Sequence, residues 1–449
     1  MRPDSLRRVV FLTAVALSCA GALALSGGVS AQSAASPTFS RDVAPIFYNK
    51  CIGCHRPGEV APMSLITYRD VRPWASAIRE KVTTRVMPPW HADRQYGSFR
   101  NDLSLTQREI DTIAAWAAGG AGEGNPSDLP ALPKFPDGWQ IGTPDRVFEM
   151  QADYQIPATG TIDYQYFEVP TNFTEDRWIQ AGEVRAGDRA HVHHIIVYVK
   201  EPKPSARPNV VRIRPILPAG AAPPASPARE PAATDAPARS AAPAGGDAML
   251  VNWAVGEDAP VYLPGTAKRI PAGSTLIFQV HYTTNGKPGV DRSRIGLIFA
   301  KEPPRQEIRT GIIANPVFAI PAGAANHEVA AEASFSADVR IWTMHPHMHL
   351  RGKDMTYTAI YPDGRSEVVL RVPRFDFGWQ TDYWLAEPLT LPKGSKLHVR
   401  AHFDNSPANR SNPDPAKVVR WGDQTWEEMM IGFFTYTVEG QPARSSLKQ

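Results

Sequence analysis

HPHMHLRGK, residues 345–353, sets a histidine at every second position. Successive side chains of a β-strand point to opposite faces, so a strand here lines His345, His347 and His349 along one face. Such a row of imidazoles invites a metal. Working outward, HHIIVYV, TLIFQVHYTT, KLHVRAHF and MMIGFFTYTV are rich in β-branched and aromatic residues and end at Gly, Pro, Asn or Asp. Helical periodicity is scarce after residue 138, and about 300 β-rich residues predict two sandwiches or jelly rolls rather than one. The 43 prolines among 449 residues suit short strands, turns and linkers.

The formal charge of +3 is small and no long basic run occurs, which argues against a nucleic-acid partner. MRPDSLRR, the apolar VVFLTAVALSCAGALAL and the small-residue VSA before Gln32 read as a cleaved export signal over 1–31. No other stretch is long and apolar enough to span a bilayer, so a periplasmic or secreted protein without stable membrane insertion is expected. Cys19 leaves with the signal. Cys51 and Cys54 remain, too few for a disulfide framework.

That pair sits in CIGCH, the attachment pattern of a covalent c-type haem, with Cys51 and Cys54 bonding the porphyrin and His55 ligating iron. Val43, Ile46 and Phe47 give FSRDVAPIFYNKC a helical apolar face. Thr106 and Glu109 form a capping box, Ile110, Ile113, Ala114 and Ala117 a second face, and Gly119-Gly120 a stop. In RVMPPWHAD between them, Met87 is the favoured second axial ligand, with Met63 and His91 as rivals. Residues 38–124 thus resemble a small class I cytochrome c domain. A Gly/Pro-rich connector follows, read as a linker over 125–139. The stretch 217–246, almost devoid of bulky apolar residues, is expected as a surface insertion.

His191, His193 and His194 cluster in HVHHIIVYV, and His281 stands in FQVHYTTNG. Imidazole groups with few carboxylates favour copper, or zinc, over magnesium or calcium. On a regular strand His193 and His194 point apart, so joint ligation needs a bulge or a strand end. His398 and His402 alternate on one strand face and are read as structural.

VHHIIVY, NWAVGEDAPVYLPG, LIFQVHY, HMHLRGK and EEMMIGFF, in that order over about 140–445, resemble the copper type II monooxygenases, among them peptidylglycine α-hydroxylating monooxygenase and dopamine β-hydroxylase. The resemblance implies two antiparallel jelly-roll domains, here 140–299 and 300–445, each with one copper across a solvent-filled cleft. The fold class expected for the whole chain is therefore multidomain: a small all-α cytochrome c domain followed by two all-β antiparallel jelly-roll sandwiches. By motif, His193, His194 and His281 would bind the electron-transfer copper; His347, His349 and Met429 would bind the copper that activates O₂, with Met430 as the neighbouring rival. The arginine two positions before HxH that helps hold a peptide carboxylate is here His345. The asparagine and tyrosine two and four positions after the methionine are Ile431 and Phe433, so peptide amidation is not expected.

The expected function is hydroxylation of a C–H bond of a small-molecule substrate with O₂. Two copper ions would do this chemistry, and electrons from an external redox protein or small reductant would arrive through the tethered haem. The alternative is an electron-transfer or copper-binding protein without oxygenase chemistry. A zinc hydrolase ranks lower because no glutamate stands beside the histidines as in HExxH. His191 and His345 stay open as hydrogen-bond partners of ligands, substrate contacts or surface residues.

Overall fold

A computed structural model describes residues 36–59, 61–135, 138–203, 210–217, 248–254 and 259–441. The export segment 1–31 and residues 218–246 of the insertion lie outside these. No helix among the described residues is long and apolar enough to cross a membrane.

The expected succession of an all-α cytochrome c domain and two antiparallel jelly-roll sandwiches does not hold. The N-terminal part carries only short α-helices: α1 (Ala44–Lys50), α2 (Tyr68–Val71), α3 (Ala75–Thr83) and α4 (Gln107–Ala118). The strands form six small sheets among the described residues, of five, two, four, two, five and four strands. One pairing is parallel, Gln306–Glu307 on Thr266–Ala267. Residues 90–102 of the helical segment leave its own core to pack on a β-sheet.

Local rules still account for the helices. Thr106 Oγ1 accepts from the Glu109 backbone at 3.2 Å and Glu109 Oε2 accepts from Thr106 at 2.7 Å, the reciprocal capping box that starts α4. Ile110, Ile113 and Trp116 bury one face against Phe39, Val43 and Phe47, with Cys51 packed on the same cluster. Trp116 takes the place expected of the smaller Ala114 and Ala117, which are half-buried.

A first β core draws on a four-stranded sheet, ordered Gln165–Pro170, Thr275–Tyr282, Val192–Lys200, Ala248–Ala254, and on the five-stranded sheet that includes Arg177–Arg185 and Arg294–Phe299. A second core lies in the sheet Arg309–Ala314, Ile431–Val438, Val339–His347, Tyr383–Leu391 and in a five-stranded sheet through Gly352–Ile360, Lys396–Phe403 and His327–Phe335. The chain crosses between these bodies more than once. Val211–Ile216 pairs antiparallel with His327–Phe335 in the second body before the chain returns at Ala248 to the first. Gln306–Glu307 still belongs to the first body and Arg309 already to the second, so buried Ile308 alone separates them.

The helical segment is seated on the second body. Ser98 O accepts from Ala386 at 2.8 Å, Arg100 N donates to Trp384 O at 2.9 Å, and Phe99 bridges Leu385, extending the sheet edge. Trp90, Phe99 and Tyr383 meet ring to ring at 5.1–5.9 Å. Trp90→Ala should therefore lower the unfolding free energy of the whole protein by ~2–3 kcal/mol. Equilibrium denaturation measures this, and an unchanged midpoint would mean that the segment rests on the sheet without contributing to it.

Candidate metal centre

The strand Val192–Lys200 breaks register against Thr275–Tyr282 between Val192 and His194. This bulge turns two adjacent imidazoles toward one point, as joint ligation requires. His194 is paired opposite His281. His193 Nδ1 stands 3.0 Å from His194 Nδ1 and 3.3 Å from His281 Nδ1. One ligand atom from each of the three lies within 4.8 Å of the others.

Protons cannot satisfy this group. Burial, reinforced by the neighbouring imidazoles, holds His194 well below the ordinary histidine range and brings His281 down to about 3. At neutral pH the three rings are uncharged, with one N–H each, while several nitrogen lone pairs converge in a desolvated space. A soft or borderline cation relieves that arrangement, and an all-imidazole set suits copper or zinc.

The second group stands at a strand end. His345 and His347 close the strand Val339–His347, and His349 lies in the turn beyond it, so the expected three-residue alternation covers only the first two. His347 Nδ1 donates to Gln380 Oε1 at 2.5 Å, and His349 Nδ1 donates to Glu427 O at 3.2 Å. Each bond fixes a tautomer with the lone pair on Nε2, the orientation found in metal-ligating histidines. His349 Nε2 is buried without a hydrogen-bond partner in the protein. Burial lowers the pKa of His349 to about 4 and holds His347 far below its usual range.

Glu428 fastens this turn. Its oxygens accept from the backbone N–H of His349 at 2.9 Å and of Arg351 at 2.6 Å. Burial pushes its carboxyl up to about 8 against the opposing pull of these donors and of the Arg351 charge. Arg351 is itself buried, spending Nε on Asn405 at 2.9 Å and an Nη on Trp426 O at 2.9 Å. Met429, next to Glu428, is half-buried in an apolar cluster with Ile196 and Met249 of the first body and Ile431 and Phe433 of the second. Met430 is fully buried in the second core. Of the two methionines, only Met429 faces the junction.

The two groups adjoin. The Phe377 ring stacks on His193 at 5.2 Å and meets His349 edge-on at 6.0 Å. Tyr164 touches His281 at 5.0 Å and His349 at 6.4 Å, and its hydroxyl is buried without a partner. Aromatic rings thus stand where the resemblance implied a solvent-filled cleft. Gln380, Phe377 and Tyr164 carry no periodic or motif signal; Glu428 stands in EEMMIGFF, but nothing in that stretch marks its role.

The unassigned histidines separate by geometry. His191 uses both ring nitrogens, on Asp188 Oδ2 at 2.7 Å and Lys287 O at 3.0 Å, so it braces the turn before the bulge and cannot ligate. His345 Nδ1 is 3.0 Å from Asp382 Oδ1, beside a small cavity of about 20 Å³ lined also by Tyr262, Lys268 and Trp384. Near CIGCH, His55 Nδ1 donates to Met63 O at 3.2 Å, leaving Nε2 for an axial bond, and Cys51 and Cys54 form no disulfide. Met63 packs on the cluster that holds Cys51; Met87 is half-buried in the loop after α3.

No family model and no curated protein matches the chain. Among solved structures, an allantoicase aligns at 8% identity over 56% of this chain and 79% of that one, with a TM-score of 0.15. Infectious bursal disease virus, as the Gt strain and as the VP2 subviral particle, aligns at 11% identity over 66% of this chain and 72% of each of those, with TM-scores of 0.18. Likenesses of this size carry nothing about function.

Two outcomes follow from the geometry. His281→Ala should weaken metal binding at the three-histidine cluster, whereas His191→Ala should leave it intact and cost ~1–3 kcal/mol through unpaired Asp188 and Lys287 groups. Metal analysis with denaturation separates the two. In metal-free protein His281 and His349 are neutral when folded but protonate below about pH 6.5 when unfolded. The unfolded state then binds more protons, so stability should drop as pH falls from 7 toward 4. Melting curves at both pH values test this, and a flat profile contradicts it.

Proposed function

We propose that the chain is an exported copper monooxygenase, periplasmic or secreted, similar to the copper type II family. It would hydroxylate a C–H bond of a small organic substrate with O₂, and a haem attached through CIGCH would deliver the electrons. The observation that carries the reading is the convergence of His193, His194 and His281 nitrogens beside a second pair, His347 and His349, whose Nε2 lone pairs are set free by hydrogen bonds at Nδ1. Copper at the two groups supplies the one-electron steps that such a hydroxylation needs, and haem at Cys51, Cys54 and His55 a one-electron relay.

The chain's own residues do the rest. Burial keeps the imidazoles unprotonated and available as ligands. Gln380 and the Glu427 carbonyl hold the His347 and His349 rings in one tautomer and orientation. Glu428 ties the HMH turn to the backbone next to Met429. Met429 adds a soft donor that favours the cuprous state. Tyr164 and Phe377 exclude water from the space between the groups.

The second reading, a haem and copper electron-transfer or copper-binding protein, is favoured by those same two rings, which occupy ground that a substrate would need. The readings part on simple measurements. The oxygenase should bind two coppers per covalent haem, bind carbon monoxide at the reduced His347/His349 site, and consume O₂ with a reductant and a substrate panel. His349→Ala should abolish uptake and carbon monoxide binding, a loss of at least about 10³-fold if the ligand is essential. Two coppers without O₂ uptake under any reductant would favour the second reading.

A further inference from the structure

The contacts between the haem-attachment segment and the β bodies carry an inference that rests on this reading and deepens it. The connector 125–139 was the expected tether. Instead, the segment is gripped from several sides. Glu59, four residues after His55, pairs with Arg56 at 2.8 Å and with Arg189, which lies in the turn just before the HVHH strand. Arg56 covers Phe135 at 3.9 Å, and Trp139 stacks under Arg185 at 4.8 Å, so the connector is pinned on both sides. Lys50 Nζ at the end of α1 donates to Asp102 O at 2.8 Å. Asn101 then clasps the other sheet edge: its Nδ2 donates to Asp382 O at 2.7 Å and its Oδ1 accepts from Trp384 N at 3.1 Å.

The loop between these grips runs toward the histidines. Asp93 N donates to Arg371 O at 2.8 Å, anchoring the loop beside the segment 374–382. That segment supplies Phe377 to His193 and Gln380 to His347, and so touches both metal groups. It is pressed tightly on the HMH turn: a Cβ at Gly352 would stand 2.6 Å from Met348 and 2.8 Å from the Phe375 ring. His91 Nδ1 is buried and unpartnered, and the charge of Asp376 in that segment acts on both His91 and His193.

We propose that residues 90–102 hold the haem-attachment segment in one fixed position on the second body, and that electrons enter the His193/His194/His281 site from the side of His91 and Phe377. One electron leaves ferrous haem, making it ferric, and reduces one cupric ion at that site to cuprous; an outside one-electron donor then restores the haem. His91 and Phe377 are positioning residues in this transfer and bind no metal.

The test uses the full-length, copper-loaded, oxidised protein under argon. A photoexcited flavin supplies less than one electron per molecule, and haem absorbance reports re-oxidation as copper accepts. A first-order rate that does not change over a tenfold range of protein concentration is expected. His91→Ala and Phe377→Leu should each slow it at least tenfold, while haem spectrum and copper content, and for His91→Ala the direct reduction of copper by ascorbate, stay as in the parent. A rate proportional to protein concentration, or wild-type rates in both variants, overturns the inference alone. Protein that holds no covalent haem or no copper overturns the function reading with it.

Discussion

Four buried imidazoles and the half-buried His193 lie within a few ring widths of one another, and burial disfavours the charged form of each. This constraint governs the junction of the two β bodies. Uncharged rings with converging lone pairs gain little from each other, so the surroundings must hold them in place. The bulge before His194, the Gln380 amide, the Glu427 carbonyl and the buried Glu428–Arg351 unit do so. Polar groups this deeply buried cost free energy unless every partner is met. Among the described residues, the unmet buried atoms include His349 Nε2 and the hydroxyl of Tyr164, whose ring meets His281 and His349.

Much of the local structure was legible. HHIIVYV, TLIFQVHY, KLHVRAHF and the IGFFTYTV part of MMIGFFTYTV are strands, and Thr106 with Glu109 starts a helix. The demand for a bulge at His193-His194 was a direct consequence of two-residue alternation, and the register break meets it. The architecture was less legible. Period and composition report which face of an element is apolar but not which partner covers it. RQYGSFRND has no strand pattern, yet its backbone extends a sheet because Phe99 and Trp90 find Tyr383 nearly 300 residues later.

The residues that matter most around the histidines were hidden for the same reason. Phe377 and Gln380 lie in a loop, and Tyr164 precedes a strand. Their roles arise from where the chain brings them, and no spacing announces that. His345 shows the converse: its alternation with His347 is real, but Asp382 engages it and a small cavity borders it, so equal spacing conceals unequal surroundings.

The path of the chain limits how the two β bodies can move. Because Val211–Ile216 belongs to the second body and Ala248–Ala254 to the first, successive strands change body more than once, the last time at Ile308. The last passage is one residue long, buried, and held by its own hydrogen bond to Ala267 at 2.9 Å. The bodies therefore cannot swing apart as two modules on a string. Any separation of the bodies at that point would break this hydrogen bond and expose the Ile308 side chain to water.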